Sequence, residues 1–185
     1  MLFDITENKT ESSFSGSFVP INHPADFISS QDDYLSNHLK HINWLQGDKM
    51  YHFTSNGRYA LHDLIIHLAG KLESPDCIVT SFNLSVLAAK AFSRAWDKRT
   101  FKSIRLVLNA QKKSNFIDAI KLLEGKFPMS FAKIHAKVGL IWNREYYFTI
   151  VTTGNLSSNN NIERGFVSTS KKIFDYDKQW ISSLF

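Results

Sequence analysis

The stretch that most constrains this chain runs from Ile134 to Glu163, IHAKVGLIWNREYYFTIVTTGNLSSNNNIE. His135 and Lys137 stand two apart inside an apolar run. Side chains of a strand alternate between faces, so that spacing puts both on one face. Ile134, Ala136, Val138, Leu140 and Trp142 then share the other face, toward a core. The polar residues Asn143, Arg144 and Glu145 interrupt the run, and a second strand-like segment covers 146–152. This is the pattern of a β-hairpin with a short loop. A hairpin centred near Glu145 sets Lys137 opposite Thr153 and His135 opposite Asn155, so one face collects an imidazole, an ammonium, a hydroxyl and a carboxamide. A one-residue change of register would scatter them. The set suits attack on a phosphate: histidine supplies a nucleophilic nitrogen, and Lys and Asn donate to oxygens whose charge grows in the transition state. Glu163 is placed to accept from the other imidazole nitrogen and hold its tautomer.

His135-Ala136-Lys137, Thr152-Thr153-Gly154-Asn155 and Asn161-Ile162-Glu163 resemble the phospholipase D superfamily. Its pattern is His-x-Lys, four residues, Asp, then Gly-Ser-x-Asn and a downstream Glu. The resemblance implies that His135 is the nucleophile and that Lys137 and Asn155 bind phosphate. Thr153 stands for the Ser, and Glu163 orients His135. The detailed likeness covers about thirty residues, and the order of elements extends it over 49–170. Two positions depart from the pattern. The Asp falls on Trp142, away from the phosphate in that family, and the Gly falls on Thr152. A degenerate, inactive member stays open as a reading, as does an ordinary amphipathic hairpin.

A second His-x-Lys, His38-Leu39-Lys40, lies where the sequence reads as helix, and residues i and i+2 do not face each other there. His38 and His41 are spaced for a metal, but no carboxylate or Cys nearby completes a set. No metal and no cofactor are expected.

The chain of 185 residues is 43% hydrophobic and 14% aromatic, with a net charge of +5. Those values suit a globular fold with a basic surface and mildly favour a polyanionic partner. Nucleic acid is the expected partner, DNA ahead of RNA, with no stable membrane association. The single cysteine, Cys77, excludes an intrachain disulfide. No apolar run has the length of a membrane span, and MLFDITENKT lacks the basic start and apolar core of a signal peptide, so a cytoplasmic protein is expected.

Residues 1–31 show no period and read as irregular chain, while 31–45 reads as a helix. Together 1–48 form an N-terminal segment packed on the main domain or a partner; 49–185 form the phosphodiesterase domain. A strand at 49–54, a helix from Ser55 or Asn56 to Leu72, a strand at 77–81, a helix capped by Asn83 or Ser85, a strand at 101–109 and a helix from Ser114 to Gly125 alternate in order. That alternation predicts an α/β fold with a mixed, mostly parallel β-sheet and helices on both faces, phospholipase D-like by resemblance. A strand near 165–169 and a helix over 175–185 close the chain.

Val79-Thr80-Ser81-Phe82-Asn83-Leu84-Ser85 echoes Val151-Thr152-Thr153-Gly154-Asn155-Leu156-Ser157. The echo is read as one local solution used twice; Ser81 and Asn83 remain candidates to line the same cleft. Lys98, Arg99, Lys102, Arg105, Lys112 and Lys113 form a basic stretch. Beside the cleft, Lys98, Arg99 and Lys112 would track a phosphate backbone; otherwise they are solvated helix ends and loops. Asn159-Asn160-Asn161 is a polar loop next to the expected site. The function expected is metal-independent phosphodiester cleavage, as a nuclease with a phosphohistidine intermediate. One credible motif against the two needed by the family's mechanism implies a homodimer with a shared centre. A lipid or other phosphodiester hydrolase and an inactive nucleic-acid-binding module are the alternatives.

Overall fold

A computed structural model of the chain describes residues 25–29, 35, 42–45, 47–55, 57, 59–157 and 161–185. Eight strands form one sheet: β1 (Ala25–Ser29), β2 (Met50–Thr54), β3 (Asp76–Ser81), β4 (Ser103–Asn109), β5 (Met129–Ala132), β6 (Val138–Trp142), β7 (Tyr147–Thr152) and β8 (Arg164–Ser168). Among the described residues, α-helices accompany them at α1 (Leu61–Ala69), α2 (Val86–Asp97), α3 (Ile117–Leu123) and α4 (Lys171–Ser182). Most of the helix expected over 31–45, with His38 and His41, lies outside the described residues, as do Asn159 and Asn160. β1 falls in the stretch expected to be irregular and pairs in parallel with β2.

The strand order is β1-β2-β8-β7-β6-β3-β4-β5. β1–β2, β3–β4 and β4–β5 are parallel; β2–β8, β8–β7, β7–β6 and β6–β3 are antiparallel. The sheet is therefore mixed but mostly antiparallel, which corrects the expectation of a mostly parallel one. A parallel pairing needs a crossover connection, usually a helix. Strands and helices alternate only as far as α3. Beyond it four strands follow with no helix between them, and consecutive strands on short connections reverse direction.

Helices cover both faces. Leu64, Ile65 and Leu68 of α1, Phe92 of α2 and Leu123 of α3 pack with Val79, Leu106, Ile141 and Phe148 on one face. Phe174 and Ile181 of α4 pack with Ile78, Val107, Val138 and Leu140 on the other. The apolar stripe of α1, Leu61, Leu64, Ile65 and Leu68, is buried. Its cap differs: Ala60 stands at the start, and its N–H donates to the Asp63 carboxylate at 2.9 Å. Ser85 caps α2, its hydroxyl accepting from Ala88 N at 3.1 Å. Leu87 and Ile117 face outward. Both sit in the first turn of their helices, where the chain is still leaving the sheet. Among the described residues no helix is long and apolar enough to cross a membrane.

Candidate active site

The residues singled out from the hairpin gather where β3, β4 and β7 end and β6 begins. His135 to Lys137 form an extended lead into β6 rather than part of it. Side chains pin that lead. The Thr80 hydroxyl donates to Ala136 O at 3.1 Å and accepts from Val138 N at 3.0 Å. Asn109 Nδ2 donates to Ile134 O at 2.5 Å. The backbone on both sides of Lys137 is thus held by residues from β3 and β4.

Odd-numbered residues of this segment face the α1–α3 layer. Gly139 lies under Ile65, and a Cβ there would meet that side chain at 3.1 Å. His135 and Lys137 continue the same face outward to the sheet's edge. Lys137 Nζ lies 3.0 Å from His135 Nδ1 and 3.4 Å from Nε2. The ammonium donates to whichever ring nitrogen carries the lone pair. His135 is exposed and Lys137 is buried.

The hairpin register differs by one residue from that expected. Val138 pairs with Val151, and Thr152 N donates to Lys137 O at 3.1 Å, so Lys137 faces Thr152 rather than Thr153. The cause is the tip: Asn143 N donates to Tyr146 O, which leaves Arg144 and Glu145 alone in the turn and moves its centre. Thr153 and Asn155 come from the loop after β7 instead of from the ladder, so the shift does not scatter them. The Thr153 hydroxyl donates to Glu163 Oε2 at 2.5 Å. Glu163 is fixed through its backbone, with Ser55 N donating to its carbonyl at 2.7 Å and its own N–H donating to Ser55 Oγ at 3.0 Å. Gly154 leaves the space the Glu163 stem fills; a Cβ there would meet Glu163 Cγ at 3.2 Å. Glu163 thus accepts from Thr153 across the mouth of the loop.

The site therefore has two halves. One is His135, Lys137 and Phe82. The other is Thr153, Gly154, Glu163 and Asn155, which line a small cavity with Ser55 and Leu61, Thr153 excepted. The field of the Glu163 carboxylate at Lys137 joins them. Asn155 Oδ1 is buried and meets no hydrogen-bond partner among the described residues. Ser81 is fully buried, and its hydroxyl donates to Asn83 O and accepts from Leu156 N at 3.0 Å. It braces the loop and does not line the cleft. The two echoed segments touch, through a parallel bridge between Leu84 and Leu156.

The basic stretch divides. Lys112 Nζ sits 5.8 Å from the Phe82 ring centroid, at the end of the sheet that carries His135. Lys98 and Arg99 follow α2 and precede β4, at the other end of the sheet, where Lys102 lies 3.9 Å from Asp76. The seven residues of β4 separate the two groups, about 20 Å at a strand's rise per residue. A continuous basic track from 98 to 113 beside the cleft is thereby corrected. Trp142 also lies at that far end, against Phe174 at 5.4 Å and under Lys178 Nζ at 4.4 Å. The residue in place of the motif Asp is thus a packing residue, remote from His135. Phe82, Thr80, Asn109 and Ser55 were not singled out from the sequence. A signal existed for Thr80 and Phe82, the counterparts of Thr152 and Gly154 in the echo.

Burial lowers the pKa of Lys137 from its ordinary 10.5, and the Glu163 carboxylate opposes that shift. The unfolded chain then binds this proton more tightly than the native one. Stability should rise as pH climbs from the folded pKa toward 10.5, because the unfolded state holds more protons across that window. Urea midpoints for wild type and Lys137→Met over this alkaline range measure it. The mutant should lose the rise, and parallel curves for the two proteins would remove the assigned cause.

No family model matches the chain, and no curated protein matches it. Twelve chains of known structure do. One is polyphosphate kinase from Porphyromonas gingivalis, with a TM-score of 0.59 and 14% identity. The match covers 80% of this chain and 28% of that one, so this chain spans under a third of the protein it resembles. At that identity the likeness concerns the α/β fold.

Proposed function

We propose that this chain is a phosphodiesterase of the phospholipase D type, a nuclease that works through a phosphohistidine. The observation that carries the reading is the exposed imidazole of His135 with the ammonium of Lys137 3.0 Å from its Nδ1. One His135 nitrogen attacks phosphorus, and the bond to the leaving oxygen breaks as the new P–N bond forms. That oxygen takes a proton from His135 of a second copy. The same imidazole then removes a proton from water, whose oxygen displaces the first histidine from phosphorus. Lys137 and Asn155 stabilise the charge on the phosphoryl oxygens. Thr153 and Glu163 form the opposite wall.

Two copies meeting at a two-fold axis would supply the second His135, because residues near such an axis meet their own counterparts. The surface around the site supports this arrangement. Val86, Leu87, Ile117 and Ile162 are large apolar residues exposed by 40%, 52%, 50% and 67%, and all lie at the catalytic end of the sheet. Lys112 and the net charge of +5 favour a polyanion, hence nucleic acid, DNA before RNA.

The test is incubation with single- and double-stranded DNA, RNA, a phospholipid vesicle, inorganic polyphosphate and a generic nitrophenyl phosphodiester, each with and without excess EDTA. Polyphosphate belongs there because a polyphosphate kinase shares the fold. Cleavage of nucleic acid that survives EDTA is the expected result, since Lys137 provides the charge a cation would otherwise supply. Activity that disappears with chelator and returns with magnesium would overturn the mechanism. Cleavage of lipid alone would leave the chemistry and replace the substrate.

A further inference from the structure

The resemblance assigns orientation of the nucleophile to Glu163, yet the contacts at the site assign it elsewhere. His135 is exposed, so little packing holds its ring. Lys137 and Phe82 both meet the imidazole. Lys137 Nζ approaches its nitrogens, and the Phe82 ring lies against it with centroids 4.7 Å apart at 54°. A flexible ammonium that must turn to phosphate during the reaction cannot also keep the ring still. Phe82, half-buried and with no charge to turn toward phosphate, is the other neighbour.

The way Phe82 is mounted supports the same assignment. Its loop follows β3, as the Gly154 loop follows β7, and β3 and β7 flank β6. Ser81 Oγ accepts from Leu156 N, and Ser85 N donates to Leu156 O at 2.8 Å, so the loops are laced together. At matching positions one loop carries Gly154, whose missing side chain seats Glu163, and the other carries Phe82, whose ring seats His135. The ring also holds cations: Lys137 and Lys112 Nζ each lie 5.8 Å from its centroid. An aromatic face attracts an ammonium by its quadrupole, so one ring fixes the imidazole and gathers both lysines beside it.

We infer that Phe82 is the positioning residue of His135: its ring sets the plane in which the imidazole meets phosphorus. The Thr153–Glu163 pair builds the opposite wall. Misaligning a reacting group by about 1 Å can cost a hundredfold in rate. Phe82→Leu keeps an apolar side chain but loses the flat face, and Phe82→Tyr keeps both.

The activity arm rests on the hydrolase reading; a second arm does not. With the nitrophenyl phosphodiester, Phe82→Leu should lower kcat by about ten- to a hundredfold with KM little changed, and alter the pH profile of kcat. Phe82→Tyr should restore both. In NMR spectra of the full chain, the His135 ring signals are identified by their loss in His135→Ala. They should move to the positions of an ordinary exposed imidazole in Phe82→Leu, and stay in place in Phe82→Tyr and Glu163→Gln. A wild-type protein that cleaves no phosphodiester removes the hydrolase reading, and the spectra then decide alone. His135 signals that ignore Phe82→Leu and move in Glu163→Gln would return the role to the carboxylate and overturn the inference.

Discussion

His135→Ala should abolish phosphodiester cleavage, by three orders of magnitude or more, on the order of what removing an enzyme's nucleophile costs. The fold should survive. His135 is exposed, and the extended lead that carries it is pinned through backbone atoms by Thr80 and Asn109, not by the imidazole. A surface truncation of that kind changes stability by about half a kcal/mol or less. The same substitution tests the shared centre. If each centre draws one His135 from each copy, a dimer of one wild-type and one mutant chain has a single histidine where two are needed. Such mixed dimers should be inactive. Activity at half the wild-type level in isolated mixed dimers, or full activity in a protein that sizes as a monomer, would show that one chain suffices.

Gly165→Val should cost about 3 kcal/mol, the upper end of what forcing extra atoms into packed structure costs. Gly165 pairs with Phe53 on one side and Thr152 on the other. A Cβ on it would lie 2.2 Å from Val151 O, 2.7 Å from Phe53 Cζ and 2.9 Å from Thr152 Cα. Two of those atoms are backbone and cannot swing aside, so β8 must separate from β7 or from β2. Gly154 is the contrast, since a Cβ there meets only the flexible stem of Glu163. Thermal unfolding of Gly165→Val and Gly154→Ala side by side measures the difference. A Gly165→Val protein that melts within a few degrees of wild type would mean that the strands part at little cost.

Much of the architecture could be read from periodicity. The stripe Leu61, Leu64, Ile65, Leu68 and the alternation Ile104, Leu106, Leu108 record which side chains are buried, and burial leaves that trace in any chain. Strand direction leaves no such trace. The far placement of Lys98 and Arg99 follows from which way β4 runs, and the antiparallel majority follows from β8 taking a place between β2 and β7. Neither is a local property of the residues concerned. The hairpin was legible but its register was not, because a two-residue tip and a three-residue loop differ by half a residue at the centre and by a whole residue in the pairing. Phe82 went unnoticed for a related reason. A phenylalanine in an apolar chain marks packing, and only the route of the β3 loop brings it to an imidazole fifty-three positions away.

The position of β8 has a consequence for how the chain folds. β2 joins the rest of the sheet through β8 alone, and Ser55, just past β2, meets Glu163, just before β8. The hydrogen bonds that close this junction span 108 and 120 residues. Pairings of such separation carry their loop-closure entropy before they return any contact energy, and high contact order slows folding. The strands from β3 to β7 have their partners earlier, so insertion of β8 is the closing step. A chain still being made, with everything up to Asn155 already out, has the imidazole and the ammonium but lacks Glu163, the partner of Thr153 in the opposite wall. The last strand is at once the keystone of the sheet and the event that assembles the cleft.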